Sequence, residues 1–156
     1  MDLRLRSATA ADIAIIAAFN RAMALETESL ELDPERVEAG VRALFEGRGA
    51  GFYLLAEADG EVAGQLMVTY EWSDWRNGNF WWIQSVYVAP EHRLRGVFRA
   101  LYAEVEKRAR EAGNVCGIRL YVEHENHRAQ RTYAMLGMRT TAYKIMEVDF
   151  VLGARS

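Results

Sequence analysis

Leu3 and Leu5 alternate with Arg4 and Arg6, the period of a short half-buried strand. Thr9 then precedes Asp12 by three positions, a capping-box start. This predicts a helix from about Ala10 to the late twenties, with Ile13, Ile16, Ala17 and Asn20 on one face. Asp33 and Pro34 open a second helix as N-cap and first helical residue. Val37, Val41, Leu44 and Phe45 share its face, and Gly47 stops it. Gly51 to Glu57 reads as a strand, Asp59-Gly60 as a hairpin turn, and Val62 to Trp72 as a long strand. Asn77-Gly78 turns the chain again, and Phe80 to Val88 runs back, giving a three-strand antiparallel meander.

From Gly96 to Ala112 the period becomes helical, with Phe98, Leu101, Tyr102, Val105 and Ala109 on one face. Glu104–Arg108 and Glu106–Arg110 are i,i+4 pairs in the favourable order, and Gly113 ends the helix. Cys116 to Glu123 reads as a strand with Ile118, Leu120 and Val122 on one side. Asn126 starts a short helix that Gly137 ends, and Arg139 to Val151 reads as a final strand, bent or broken. The strand–helix–strand crossover implies a parallel pair. The fold class expected is α/β of the α+β type, one domain over residues 1–156, with a mixed sheet of about six to seven strands and about four helices.

Composition narrows the functions open to such a domain. The chain has 156 residues, enough for one core, and its 51% hydrophobic and 26% charged content is that of a soluble protein. A net charge of −3 argues against general affinity for nucleic acid. The single cysteine, Cys116, cannot form an internal disulfide and is expected to be a small buried hydrophobe. C-x-x-C spacing is absent and no metal site is expected. The N-terminus alternates in polarity and reads as neither signal peptide nor membrane anchor, so a cytoplasmic location is expected.

The chemistry concentrates at two places. The first is V-Y-V-A-P-E-H-R-L-R-G-V-F, from Val86 to Phe98. A strand leaving through a proline into an arginine-studded loop and a helix aims unpaired amides at one point, where the macrodipole adds positive charge. That is a seat for a phosphate or pyrophosphate. Arg93, Arg95 and Arg99 surround it, and Gly96 lets the backbone come close to a ligand. Arginines at a helix start oppose the dipole, so three of them call for an anion; a solvated basic surface is the plainer alternative. The second place is Asn126, Ala129, Tyr133 and Gly137. The first three fall within about 60° on a helix, lining one stripe with an amide, a small residue and a phenol. Capping, packing, core and helix stop would explain the four equally well.

Taken in order, V-x-V-x-P, R-x-x-G, an amphipathic helix, a strand and N-x-x-A-x-x-x-Y-x-x-x-G resemble the GNAT superfamily of acyl-CoA-dependent N-acyltransferases. The likeness is sharpest from Trp81 to Met138 and extends in layout over the whole chain. The resemblance implies a splayed strand pair, with Val86, Tyr87 and Val88 facing the pantetheine arm and Ile118–Val122 diverging from them. It implies that Arg93, Leu94, Arg95, Gly96, Val97 and Phe98 form the pyrophosphate loop, followed by Arg99 in the first helical turn. Asn126 matches the cofactor-contacting asparagine, and Tyr133 the catalytic tyrosine that protonates the leaving thiolate. Phe98 departs from the usual Gly or Ala; since it shares a face with Leu101 and Tyr102, a core position is expected.

The reaction implied is direct attack of an amine on acetyl-CoA, a cosubstrate, with no metal. The alternative is a non-catalytic acyl-CoA-binding sensor module. Where the family often carries a base, this chain has Trp82 and Gln84; Glu71, Glu123 and His124 are the nearby candidates. Six acids between Glu26 and Glu38, against Arg36 alone, could draw a cationic amine or form a solvated surface. The acceptor expected is a small-molecule amine or amino acid, with a protein N-terminus or lysine as the second choice. No nucleic acid or membrane partner is expected. Tyr70, Trp72, Trp75, Phe80, Trp81 and Trp82 offer an acceptor wall or a homodimer face.

Overall fold

The computed structural model describes residues 1–153, which form two compact units, Met1–Tyr121 and the residues from Val122 onward. The first unit is built on a five-stranded sheet of order β1-β2-β3-β4-β5: β1 (Leu3–Ser7), β2 (Gly51–Ala58), β3 (Glu61–Ser73), β4 (Gly78–Val88) and β5 (Val115–Leu120). The first four run antiparallel to their neighbours and β5 runs parallel to β4. Asp59 and Gly60 both have positive φ, as the expected hairpin turn requires.

Helices α1 (Ile13–Glu28) and α2 (Pro34–Phe45) cover one face. Ile13, Ile16, Ala17 and Val41 meet Tyr53 and Leu55 there, with Val37, Leu44, Phe45 and Met67 packed around them. One step out of phase on the strands, Leu54, Leu66 and Val68 are fully buried too, because alternate residues point to opposite faces. On that second face α3 (Val97–Ala112) crosses the sheet, burying Val97, Leu101, Tyr102, Val105 and Ala109. The anticipated Glu104–Arg108 and Glu106–Arg110 pairs form at 2.9 and 3.0 Å.

Gly64 sets how closely α3 approaches. A Cβ on it would lie 3.0 Å from Val97 Cγ1 and 3.2 Å from the Tyr87 carbonyl oxygen. The missing side chain therefore lets the first turn of α3 sit directly over the end of β4.

The start of the first helix is a short 3₁₀ turn, Ala10–Asp12, rather than α-helix. Asp12 accepts from the Thr9 amide at 2.8 Å, and Arg6 grips both its oxygens at 2.8 and 2.9 Å while reaching Glu57 at 2.6 Å. Arg6 holds the Asp12 carboxyl below its ordinary value of 3.8. A lowered native value stabilises the fold above the unfolded value and ceases to do so as pH falls through the native one. Asp12→Asn should therefore cost about 2 kcal/mol at neutral pH. Urea titrations of both proteins should show that difference shrinking below about pH 4.

In the second unit, α4 (His127–Met135) is capped by Asn126, whose side chain accepts from the Ala129 amide at 3.1 Å. Gly137, at φ +92°, follows its end. The expected final strand over Arg139–Val151 is not formed: residues 138–153 contain neither helix nor strand. The described sheet thus has five strands, not six to seven. Tyr143 and Ile145, and then Val148 and Phe150, carry two short runs of strand-like alternation, but all four are exposed, and alternation makes a strand only when a neighbour supplies the ladder. The strand expected at Cys116–Glu123 is likewise Val115–Leu120, with Cys116 half-buried rather than buried.

Candidate active site

The parallel pairing of β4 with β5 ends at Ile83 and Leu120, while β4 continues to Val88. Gln84–Val88 therefore run on without a β5 partner, and the pairing stops at Leu120, within the expected Ile118–Val122 segment. Along this stretch Ala89 N–H bonds across to Ala63 O at 2.8 Å. Strand residues alternate in the direction of their backbone groups, so Val88 and Val86 turn theirs to the open edge. The Val88 carbonyl is engaged there by Arg93 Nε at 2.8 Å.

A bulge precedes this edge. Gln65 faces Tyr87 but Met67 faces Gln84, so Ser85 and Val86 together oppose Leu66. Ser85 adopts φ +52°, the left-handed region that a non-glycine residue enters at some cost. The bulge is held from inside the molecule: fully buried Gln65 donates from Nε2 to the Ser85 carbonyl at 3.1 Å and to Asn20 Oδ1 at 2.8 Å.

After β4 a 3₁₀ turn, Pro90–His92, leads into the arginine loop. Leu94 and Gly96 have φ of +64° and +79°, and Gly96 is the N-cap of α3 with no side-chain cap bond. Left-handed residues ahead of a helix start make the amides converge on one concave spot, an anion nest. The Val97, Phe98 and Arg99 amides belong to the first turn, which begins its own bonding with Ala100 N–H to Gly96 O at 3.0 Å. Nothing lies within 4 Å of where a Gly96 Cβ would be, so the seat is open. This geometry fits a pyrophosphate.

Arg95 and Arg99 are exposed around the seat. Arg93 is not aimed as expected. Its Nη2 holds Glu26 at 3.0 and 3.1 Å, and its guanidinium lies 5.4 Å from the centre of the Tyr87 ring. Phe98 is half-buried rather than in the core as anticipated, and stacks on buried Tyr102 at 6.3 Å.

Beside the open edge lies a groove of about 300 Å³ lined by Met23, Glu26, Thr27, Val86, Tyr87, Val88 and Arg93. The Arg93 bond keeps the Glu26 carboxyl below the ordinary carboxylate range. Burial, then the Glu26 charge, pushes the Tyr87 phenol up. The groove thus carries an ionised carboxylate. Of the other bases considered, Glu71 is bound to Arg119 at 2.8 Å, and Glu123 and His124 are exposed. Gln84 donates to Thr69 Oγ1 at 2.5 Å, and Trp82 stacks on Tyr121 at 4.5 Å. The aromatic cluster divides: Phe80 and Trp81 are buried, while Tyr70, Trp72 and Trp75 are exposed.

In the second unit, Asn126 and Tyr133 stand at the cap and on the body of α4. Capping occupies Asn126 Oδ1, so that reading of the residue is realised. Burial raises the half-buried Tyr133 phenol. Among the described residues no group of three His, Cys, Asp or Glu could hold a metal ion, and no helix is long and apolar enough to cross a membrane.

An open strand edge running into an anion nest is the arrangement of an acyl-CoA-handling α/β fold. Comparison agrees: residues 17–138 match the acetyltransferase (GNAT) family model. The chain belongs to the GNAT acetyltransferase family. A crystal structure described as a possible acetyltransferase from Clostridium difficile 630 is 42% identical over 96% of this chain and 98% of its own, with a TM-score of 0.87. Two more distant structures share the fold. One is a predicted acetyltransferase with acetyl-CoA from Clostridium acetobutylicum (14% identity, 94% and 96% of the chains, TM-score 0.77). The other is glucosamine-6-phosphate N-acetyltransferase from Arabidopsis thaliana (15%, 94% and 98%, 0.71). No curated protein sequence matches significantly.

Sequence reasoning missed Gln65 altogether and took Asn20 only as part of a core face. A lone amide in the apolar run V-A-G-Q-L-M-V was the available signal, since a buried amide is costly unless bonded.

Proposed function

We propose that this chain is an N-acetyltransferase that moves the acetyl group of acetyl-CoA to the primary amine of a small molecule or amino acid. The observation that carries the reading is the open β4 edge at Val86–Val88 leading into the uncapped start of α3. The backbone amides from Gly96 to Arg99 receive the pyrophosphate, with Arg95 and Arg99 adding charge around them; Asn126 is a further cofactor-contacting residue. The Val86 N–H stabilises charge growing on the thioester oxygen. The amine nitrogen bonds to the acetyl carbon, the C–S bond breaks, a proton passes from nitrogen to water, and Tyr133 protonates the thiolate. The structure of the Clostridium acetobutylicum protein with acetyl-CoA supports the cosubstrate. A cytoplasmic setting fits a chain with one free cysteine that depends on acetyl-CoA.

The groove supports a small cationic acceptor, because its ionised Glu26 lies next to the edge that presents the acetyl group. The test is a panel of amines, amino acids and peptides with acetyl-CoA, read by mass spectrometry and by thiol release. Small amines should gain one acetyl group each. Glu26→Gln should raise KM for the amine about tenfold, some 1.4 kcal/mol, and leave KM for acetyl-CoA unchanged. Transfer to peptides alone would make it a protein acetyltransferase; coenzyme A binding without transfer to any acceptor would make it a sensor module.

A further inference from the structure

We infer that Gln65 is a positioning residue for acetyl transfer, acting through the peptide group between Ser85 and Val86. The inference rests on the acetyltransferase reading above. Gln65 is fully buried in β3, and its Nε2 donates to the Ser85 carbonyl at 3.1 Å. That carbonyl and the Val86 N–H belong to one planar trans peptide, so they point in opposite directions. Gripping the oxygen from inside therefore aims the N–H outward, to the open edge where the thioester carbonyl would lie. A hydrogen bond to the carbonyl also polarises the peptide group and strengthens its N–H as a donor.

The expense of this arrangement marks it as more than packing. Ser85 is held at φ +52°, and the Gln65 Oε1 acceptor has no hydrogen-bond partner although it is buried. A leucine at this position would avoid both the orphaned acceptor and the desolvated amide. The amide is itself fixed by Asn20 Oδ1 at 2.8 Å. A polar chain from half-buried Asn20 on α1 through buried Gln65 on β3 thus ends on the one peptide whose orientation the reaction needs.

Gln65→Met keeps the length of the side chain and removes the donor. It should lower kcat by ten- to a hundredfold, with KM for acetyl-CoA and calorimetric affinity for coenzyme A unchanged. Gln65→Glu should regain activity relative to wild type only where its carboxyl is protonated and can donate, so its ratio to wild type should fall as pH rises. A merely structural role would leave kcat intact in the folded variant and give no such pH ratio; either result overturns the inference. Should both variants fail to fold, the unaltered protein decides. Its Gln65 side-chain amide signals in nitrogen-edited NMR should move when acetyl-CoA replaces coenzyme A, and identical spectra would overturn the role. The two readings separate cleanly. Wild-type protein that neither binds coenzyme A nor transfers acetyl removes the acetyltransferase reading and this role with it. Wild-type transfer matched by Gln65→Met removes the role of Gln65 alone.

Discussion

Gly96→Val should abolish coenzyme A binding while leaving a folded protein. Gly96 caps α3 at φ +79°, a region that β-branched residues enter only under strain. The strain is of order 1–3 kcal/mol, which a domain of this size can bear. No atom lies within 4 Å of the added Cβ position, so the substitution meets no clash inside the protein. Its damage is confined to the loop. To relieve φ, the chain from Leu94 to Val97 must rotate, and the convergence of the first amides of α3 is lost. The new side chain also stands where a diphosphate would approach. Affinity for coenzyme A should fall at least a hundredfold by calorimetry, against a drop of a few degrees in thermal unfolding. Gly96→Asn tolerates the left-handed backbone better and should retain part of the affinity. Unchanged affinity in Gly96→Val would defeat the assignment of this loop to the pyrophosphate.

What the sequence made legible was local chemistry. Asp33-Pro34 opens α2 with the Asp33 side chain accepting from the Glu35 amide at 3.1 Å, a bond decided within three residues. The apolar stripe of α3, its Gly113 end and the Asp59-Gly60 turn are equally short-range, and all stand where the pattern put them. The loop that opens α3 was legible for the same reason: strand, loop, glycine and helix follow one another without a break.

What stayed hidden depends on partners far along the chain. Arg93 reads as a phosphate ligand until Glu26, 67 residues earlier, is found holding it. The bulge at Ser85 has no local signature, because serine has no preference for φ +52°; its carbonyl is bonded by Gln65, 20 residues away across the sheet. Arg139–Val151 failed in the opposite sense. Its alternation is a local property, but a strand is a relation between two segments, and the described residues give this one no ladder.

Tyr133→Phe should lower turnover about a hundredfold with little change in acetyl-CoA affinity. The substitution removes one oxygen and keeps the ring, so α4 and its Asn126 cap should persist and thermal unfolding should barely move. The role proposed for this phenol is to hand its proton to the departing thiolate. Burial pushes the Tyr133 phenol above its ordinary value, so it stays protonated throughout the neutral range. The sign matters for the pH profile. An acid must carry its proton to act, so a raised value moves the alkaline loss of activity upward, beyond the ordinary tyrosine value of about 10. Wild-type kcat should accordingly rise with pH as the amine loses its proton, and then hold level to at least that point. In Tyr133→Phe the level should be lower at every pH, and the loss should be smaller with acyl thioesters whose thiolates are better leaving groups, since these need less help from an acid. Turnover equal to wild type at all pH values would show that solvent protonates the thiolate, and Tyr133 would then have no place in the chemistry.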